Sequence, residues 1–185
     1  MTTQEKLEEL IYKGFKETDR KIRENFEQTD RELRQLSKEV DKVSKEVGKV
    51  TDSLGRFAES MVAPAVVKLF KKRGIPINEY VPRIVSEVKN IEYDIVAFNA
   101  EYVVVVSVKM TLRVSDVKEF LHERLPIFKE VFPRYKDMKV VGAVAGATIL
   151  EKSDVYAIKQ GLYVLAQSGE NITMLNDLTF DPRVF

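Results

Sequence analysis

Two internal repeats near the amino terminus constrain the fold of this chain more than any other feature of its sequence. The segment FKETDRKIRE at 15–24 recurs as FEQTDRELRQ at 26–35, an offset of eleven residues. The segment SKEVDKV at 37–43 recurs as SKEVGKV at 44–50, an offset of seven. Seven and eleven residues are the periods at which an α-helix presents the same face again. The repeats therefore predict a long helix for this stretch.

Apolar residues give this predicted helix a continuous seam. In its second half they alternate steps of three and four residues, which is a heptad pattern: Leu33, Leu36, Val40, Val43, Val47, Val50, Leu54, Phe57. The upstream positions follow the eleven-residue pattern, which relaxes or reverses the left-handed supercoil: Ile11, Phe15, Thr18, Ile22, Phe26, Thr29. We expect one helix from about Gln4 to Leu54 that forms a homo-oligomeric coiled coil or pairs with a partner. Valine at both core positions leaves the number of strands open.

Gly55 predicts the joint between two domains, because glycine weakens a helix and here follows the seam. Residues 1–55 would be a coiled-coil oligomerisation helix and residues 56–185 a globular α/β domain. That domain is predicted to begin with a helix at Arg56–Arg73, which Pro64 either kinks or restarts. Strands are predicted at Tyr80–Val88, Ile91–Phe98, Tyr102–Met110, Met138–Ala147, Leu162–Ala166 and Ile172–Leu175, and helices at Ser115–Val131 and Leu150–Gln160. The sum is a central mixed sheet flanked by helices.

Composition removes several kinds of chemistry. The chain has no cysteine and a single histidine, His122, which excludes disulfide scaffolds, thiol nucleophiles and histidine-rich metal sites. Thirty basic and twenty-nine acidic residues give a net charge of +1, which by itself does not favour nucleic acid as a partner. The amino terminus is too acidic for a signal peptide, and no apolar run could span a bilayer. We expect a cytoplasmic protein without a membrane role.

Acidic and basic residues fall on two consecutive predicted strands. Because strand side chains alternate between faces, Glu92 and Asp94 share one side, and Ser107 and Lys109 share one side of the next strand. If the two strands are hairpin neighbours, a carboxylate and an ammonium group can converge. The alternative is that Asp94 and Lys109 lie at strand ends, where they pair or reach solvent. Spacing alone leaves both possibilities open.

The strand IEYDIVAF, a turn, and the strand VVVVSVK followed by a helix resemble the core of the PD-(D/E)XK nuclease superfamily. That core has the restriction-endonuclease-like fold. The whole chain, from its repeated TDR motif to its tail FDPRVF, is similar to prokaryotic proteins that join a coiled coil to such a nuclease-like domain. The resemblance implies hydrolysis of a phosphodiester with Mg²⁺ or Mn²⁺ as cofactor. DNA is the preferred substrate over RNA, but the sequence leaves the choice between them open.

The resemblance also implies roles for particular residues. Asp94 matches the aspartate that holds the metal, and Lys109 matches the lysine that positions and helps to deprotonate the attacking water. Glu59, in the helix that leads into the domain, matches an auxiliary acid. A hard cation needs oxygen ligands and stabilises charge at phosphorus, while a nearby lysine favours the hydroxide form of the nucleophile.

Ser107 departs from the family pattern, which has a second acid two residues before the lysine. A subset of restriction endonucleases also reads Ser-Val-Lys and takes the missing acid from the next helix, with thirteen residues between the lysine and that acid. Counted from Lys109, that position is Glu123, which becomes the candidate second metal ligand. Ser107, Thr111 and Arg113 are candidates for contact with the substrate.

Three functions remain open from the sequence. The first is an oligomeric, metal-dependent DNA nuclease. The second is a nuclease-fold module that has lost a metal ligand and binds nucleic acid or a protein without cutting. The third is a coiled-coil scaffold with a globular cap.

Overall fold

The computed structural model of the protein describes residues 2–86 and 89–185, apart from the side chain of Glu5. The expected α/β architecture, a long amino-terminal helix followed by a mixed sheet flanked by helices, is confirmed. The helices are α1 Thr3–Lys72, α2 Val114–Glu119, α3 Phe128–Val131 and α4 Ser153–Lys159, with a π-helical turn at Phe120–Arg124 and a 3₁₀ turn at Pro133–Tyr135. The strands are β1 Glu79–Ser86, β2 Ile91–Phe98, β3 Tyr102–Leu112, β4 Lys139–Ile149, β5 Tyr163–Ser168 and β6 Asn171–Met174.

The chain consists of two units, each with its contacts mainly within itself. The first unit ends at Thr51 and the second is Asp52–Phe185. The first unit is helical, and its described side chains are exposed. Its helix is reinforced by ion pairs between residues four apart. The eleven-residue repeat produces the same pair twice, Asp19 with Arg23 at 3.0 Å and Asp30 with Arg34 at 2.7 Å. Such pairs support a helix but bury no apolar surface.

The helix does not end at Gly55 as predicted. Within the second unit α1 continues through Gly55 and Pro64 to Lys72. One glycine costs a helix about 1 kcal/mol. The turns that follow bury Val66 and Phe70 completely, and this packing offsets the cost.

The six strands form one sheet in chain order, β1 to β6. The strands β1, β2 and β3 are antiparallel neighbours, β4 lies parallel to β3 and to β5, and β6 is antiparallel to β5. The predicted strand Ile91–Phe98 coincides with β2. The predicted strand Tyr80–Val88 corresponds to β1, although its last two residues, Glu87 and Val88, lie outside the described residues.

The sheet of the second unit carries a separate hydrophobic core on each face. The carboxyl-terminal part of α1 covers one face, where Phe70 packs with Ile95 and Leu165. The π-helical turn and the short helices cover the other, around Phe128 and Leu162. Val103 to Val106 of β3 are fully buried, as expected for a strand that is covered on both faces.

The predicted helix Ser115–Val131 is interrupted. Between α2 and α3 the chain forms the π-helical turn, in which the Leu125 N–H donates to the Phe120 carbonyl over 2.9 Å, five residues away. Pro126 follows at once and cannot donate a backbone hydrogen bond, so the helix does not continue regularly. The predicted helix Leu150–Gln160 also begins later, at Ser153, whose hydroxyl donates to the Leu112 carbonyl over 2.9 Å.

Candidate functional site

A cavity lies beside β2 and β3 of the second unit, beyond the end of their hydrogen-bonded ladder at Ile95 and Val106. Strand residues supply one part of its lining: Glu92, Tyr93, Asp94, Val106, Ser107, Lys109. The segment of α2 and the π-helical turn supplies the rest: Asp116, Glu119, Phe120, Arg124. The hairpin places a carboxylate, a hydroxyl and an ammonium group around one space, as the first of the two sequence alternatives requires.

Asp94 is half-buried and fastened to the neighbouring strand. Its Oδ2 accepts a hydrogen bond from the Val108 N–H over 2.6 Å and a longer one from the Ser107 hydroxyl over 3.4 Å. Burial raises the pKa of the Asp94 carboxyl above its usual value, and this outweighs the Val108 N–H, the Lys109 ammonium and the Ser107 hydroxyl, which lower it. The Val108 N–H therefore holds the aspartate, the long contact from Ser107 adds to it weakly, and the lysine charge lies close enough to stabilise it.

Glu59 of α1 lies near this group, and its side chain is only 13% exposed. Burial raises the pKa of Glu59, and the next largest cause is the Asp94 carboxylate. Arg83 of β1 joins the two acids on either side of it, with Nη2 at 2.7 Å from Glu92 Oε1 and Nε at 4.0 Å from Glu59 Oε2. The arginine thus balances a group of carboxylates that repel one another.

The backbone around Asp94 departs from a regular strand. Residues two apart on a strand share a face, yet Tyr93 packs in one core and Ile95 in the other. The change occurs at Asp94, opposite Arg83, which has φ of +51° in the left-handed region that side chains rarely adopt. Left-handed residues of this kind are strained and are found often at functional sites.

The predicted site residues fall into two groups. Asp94, Ser107 and Lys109 line the cavity. Glu59 lies close enough for the Asp94 carboxylate to raise its pKa. Glu123 is exposed and does not line the cavity, so its role as a ligand stays a prediction.

Thr111 and Arg113 also lie outside the cavity lining. Thr111 is near the end of β3, and the Arg113 N–H donates to Asp116 Oδ2 over 2.7 Å at the start of α2.

The π-helical turn explains why the cavity presents Glu119 and Arg124. In a regular α-helix the residue below Glu119 would be Glu123, four positions on. In a π-helical turn residues five apart are stacked, and Arg124 Nη2 accordingly lies 3.3 Å from Glu119 Oε1. The Tyr93 hydroxyl stabilises this turn by donating to the Arg124 carbonyl over 2.8 Å. The Ser-Val-Lys spacing gives no sign of these residues.

Among residues 2–86 and 89–185, no three carboxylates or other ligating side chains are grouped as a formed metal centre. The same described residues include no helix with the length and apolar character needed to cross a membrane. The chain matches no protein-family model, no curated protein and no solved structure.

Proposed function

We propose that this protein is a metal-dependent nuclease of the PD-(D/E)XK type that hydrolyses phosphodiester bonds in DNA and acts as a homo-oligomer. One observation carries the proposal: Asp94 and Lys109, on neighbouring strands, line a single cavity. The order of elements also agrees with the resemblance, because a helix that contains Glu59 leads into three antiparallel strands and the Ser-Val-Lys strand is followed by a helix.

The donor chemistry of the site fits a hard divalent cation. Asp94 uses Oδ2 for its hydrogen bonds to β3, which leaves Oδ1 for a ligand. Asp94 would hold Mg²⁺ or Mn²⁺, with either Glu59 or the predicted ligand Glu123 as the second acid. The bound ion would stabilise charge on the phosphate and lower the pKa of a water molecule.

The remaining roles belong to the chain's own side chains. Lys109 would orient the attacking water and stabilise the negative charge that develops on it. Ser107 would add only a weak contact to Asp94, at 3.4 Å, and cannot supply a second negative charge. Arg124, fixed by Glu119 at the cavity, offers a planar cation of the kind that recognises phosphate oxygens.

A second candidate is a module of the same fold that binds nucleic acid or a protein partner and does not cut. It is favoured by the serine at position 107 and by the exposed position of Glu123. The Arg83 ion pairs favour it as well, because they already engage the carboxylates of Glu92 and Glu59.

Cleavage of supercoiled and linear DNA in Mg²⁺, in Mn²⁺ and in EDTA distinguishes the two candidates. We expect cleavage only with metal, and a loss of at least about 100-fold in Lys109→Ala and in Asp94→Ala. Ser107→Ala should retain most of the activity. Lys139→Ala is the matched control, since it removes an exposed lysine that pairs with Glu101 outside the cavity.

Two further variants identify the second acid. Glu59→Gln should lower activity strongly if Glu59 completes the site, and Glu123→Gln should do so if Glu123 does. The non-cutting module is supported if no metal produces cleavage while the wild-type protein still binds labelled DNA, RNA or a protein partner. Faster cleavage of RNA than of DNA would contradict the proposed substrate.

A further inference from the structure

The seam of the first unit presents an apolar stripe with nothing against it among the described residues. Between 55% and 61% of each of its six central residues is exposed: Leu33, Leu36, Val40, Val43, Val47, Val50. Monomeric proteins seldom expose a continuous apolar surface of this kind. Two or more copies of a heptad seam bury it by packing knobs into holes.

The residues that flank the seam differ sharply between its two sides. In heptad terms Leu33, Val40 and Val47 occupy position a, and Leu36, Val43 and Val50 occupy position d. The flanking g positions are all acidic: Glu32, Glu39, Glu46. The flanking e positions all carry neutral hydroxyls: Ser37, Ser44, Thr51.

We propose that a second copy of this chain covers the seam in parallel orientation and in register. In a parallel coiled coil each g residue faces the e residue five positions further along the other helix. Glu39 then faces Ser44 of the second copy, Glu32 faces Ser37, and Glu46 faces Thr51. Every acid meets a neutral hydroxyl, and no like charges face each other. Ser37 and Ser44 can donate to the facing glutamates, whereas the Thr51 hydroxyl donates to the Val47 carbonyl of its own helix over 3.0 Å.

The antiparallel arrangement is disfavoured by the same residues. Antiparallel helices bring g against g and e against e, so the glutamates of one copy would lie along the glutamates of the other. A shift of the register by whole heptads does not relieve this, because all three g positions are acidic. Glu32 and Glu39 are also held by Gln28 and Gln35 of their own helix, at 3.0 Å and 3.2 Å. Like charges that face each other across a seam act against that pairing.

Disulfide trapping in the full-length chain tests the orientation, because the protein has no cysteine of its own. Leu36→Cys places a thiol at a d position and Val47→Cys places one at an a position, about 17 Å apart along the helix. The two variants are mixed and equilibrated in a glutathione redox buffer. We expect 36–36 and 47–47 dimers to exceed 36–47 dimers by about tenfold, since equal positions meet in a parallel coil, whereas an antiparallel coil pairs a with d.

Asp41→Cys, at the outward b position, is the matched control and should form few dimers. The proposal is overturned if like pairs are scarce. That result can arise because 36–47 dimers prevail, which indicates antiparallel helices, or because no disulfide exceeds the level found in urea, which indicates that the seam does not pair.

A charge variant gives an independent measurement. Ser44→Lys places a lysine opposite Glu39 of a parallel copy, so the dissociation constant from sedimentation equilibrium should fall by on the order of tenfold at low salt. In an antiparallel coil the same lysine would face its own counterpart, and association would weaken. Asp41→Asn changes the net charge equally on the outward side and should leave the constant unchanged. None of these readouts depends on nuclease activity.

Discussion

In the first unit the central seam residues remain 55–61% exposed, whereas in the second unit Phe70, Phe128 and Leu162 are fully buried. The first unit is a single helix with local ion pairs, and each local pair contributes only about 0.2–0.5 kcal/mol. The second unit buries apolar side chains on both faces of its sheet. The comparison teaches that one chain can contain a part that folds by its own packing and a part whose apolar seam is left for a partner, which we propose to be a second copy.

The largest expected effect comes from a core aromatic of the second unit. Phe128 is 0% exposed and contacts the rings of Tyr93 and Tyr135. Phe128→Ala should lower the free energy of unfolding by about 3–5 kcal/mol, because it leaves a cavity and removes ring contacts. Urea unfolding followed by tyrosine fluorescence measures this, since six of the seven tyrosines belong to the second unit, all except Tyr12.

Phe26→Ala in the first unit is the matched substitution, because this phenylalanine is 72% exposed in the single chain and lies outside the unit that contains six of the seven tyrosines. It should change the same unfolding transition by less than about 1 kcal/mol. Equal losses in the two variants would contradict the distinction between the units.

A smaller effect is expected where the carboxyl-terminal tail packs on the second unit. Gly161 has φ of +82°, and a Cβ there would lie 2.6 Å from Arg183 Cβ and 2.9 Å from the Arg183 backbone nitrogen. Gly161→Ala should displace the tail and break the hydrogen bonds from Arg183 N–H to Gly161 and from Phe185 N–H to Val140. We expect a loss of about 2–4 kcal/mol in urea unfolding, from backbone strain and lost hydrogen bonds together.

Gly169→Ala separates the two causes. Gly169 also has a positive φ, +60°, but a Cβ there would meet nothing within 4 Å. Gly169→Ala should therefore lower the unfolding free energy by backbone strain alone, about 1–2 kcal/mol. Hydrogen exchange at the Arg183 and Phe185 amides should quicken only in Gly161→Ala, and unchanged exchange there would show that the tail does not depend on this glycine.

The π-helical turn predicts a third effect, at the candidate site. Tyr93→Phe removes the hydroxyl that donates to the Arg124 carbonyl, so thermal unfolding should report a loss of about 1 kcal/mol. Burial raises the pKa of the Tyr93 hydroxyl to about 12, and the variant should lose that late step from an absorbance titration. Tyr80→Phe, at an exposed position, is the control, and equal losses in both variants would contradict the role given to Tyr93.

The smallest effect concerns pH. Because the folded pKa of Asp94 is raised, the folded protein binds this proton more tightly than the unfolded chain does. The contribution of Asp94 to stability is therefore present below its ordinary pKa and is lost as the pH rises toward the folded pKa.

Asp94→Asn keeps an oxygen that accepts from the Val108 N–H. It should flatten the slope of the unfolding free energy against pH when this is measured in EDTA. The variant's unfolding free energy at pH 7 should rise by about 1 kcal/mol or less. Asp137→Asn, at an exposed carboxylate, should leave the slope unchanged. A slope that survives in Asp94→Asn would assign the pH dependence to other groups.

Strands and the long helix were predictable because their signals are local. β-Branched and apolar residues indicate Ile91–Phe98 and the valines of β3, and the repeats indicate the helix without fixing its end. The continuation through Gly55 was not predictable from propensity, since burial of Val66 and Phe70 against the sheet decides it. Tertiary packing outweighs a single weak helix former.

The candidate site was predictable only in part. Asp94 and Lys109 follow from their places on the two strands of one hairpin, although the ladder between these strands ends at Ile95 and Val106. Glu119 and Arg124 depend on a π-helical turn, whose five-residue stacking no 3.6-residue count anticipates. Arg83 depends on a left-handed backbone residue within a strand, for which the sequence offers only the preceding Pro82 as a local irregularity.

Arg83 has a further consequence, because β1 is an edge of the sheet. Pro82 has no N–H to offer, and the left-handed arginine beside it interrupts the regular row of backbone groups. A strand from a neighbouring molecule therefore cannot extend this sheet in an unbroken ladder. The irregularity that brings a cation to Glu59 and Glu92 therefore also acts against strand addition at this edge of the sheet.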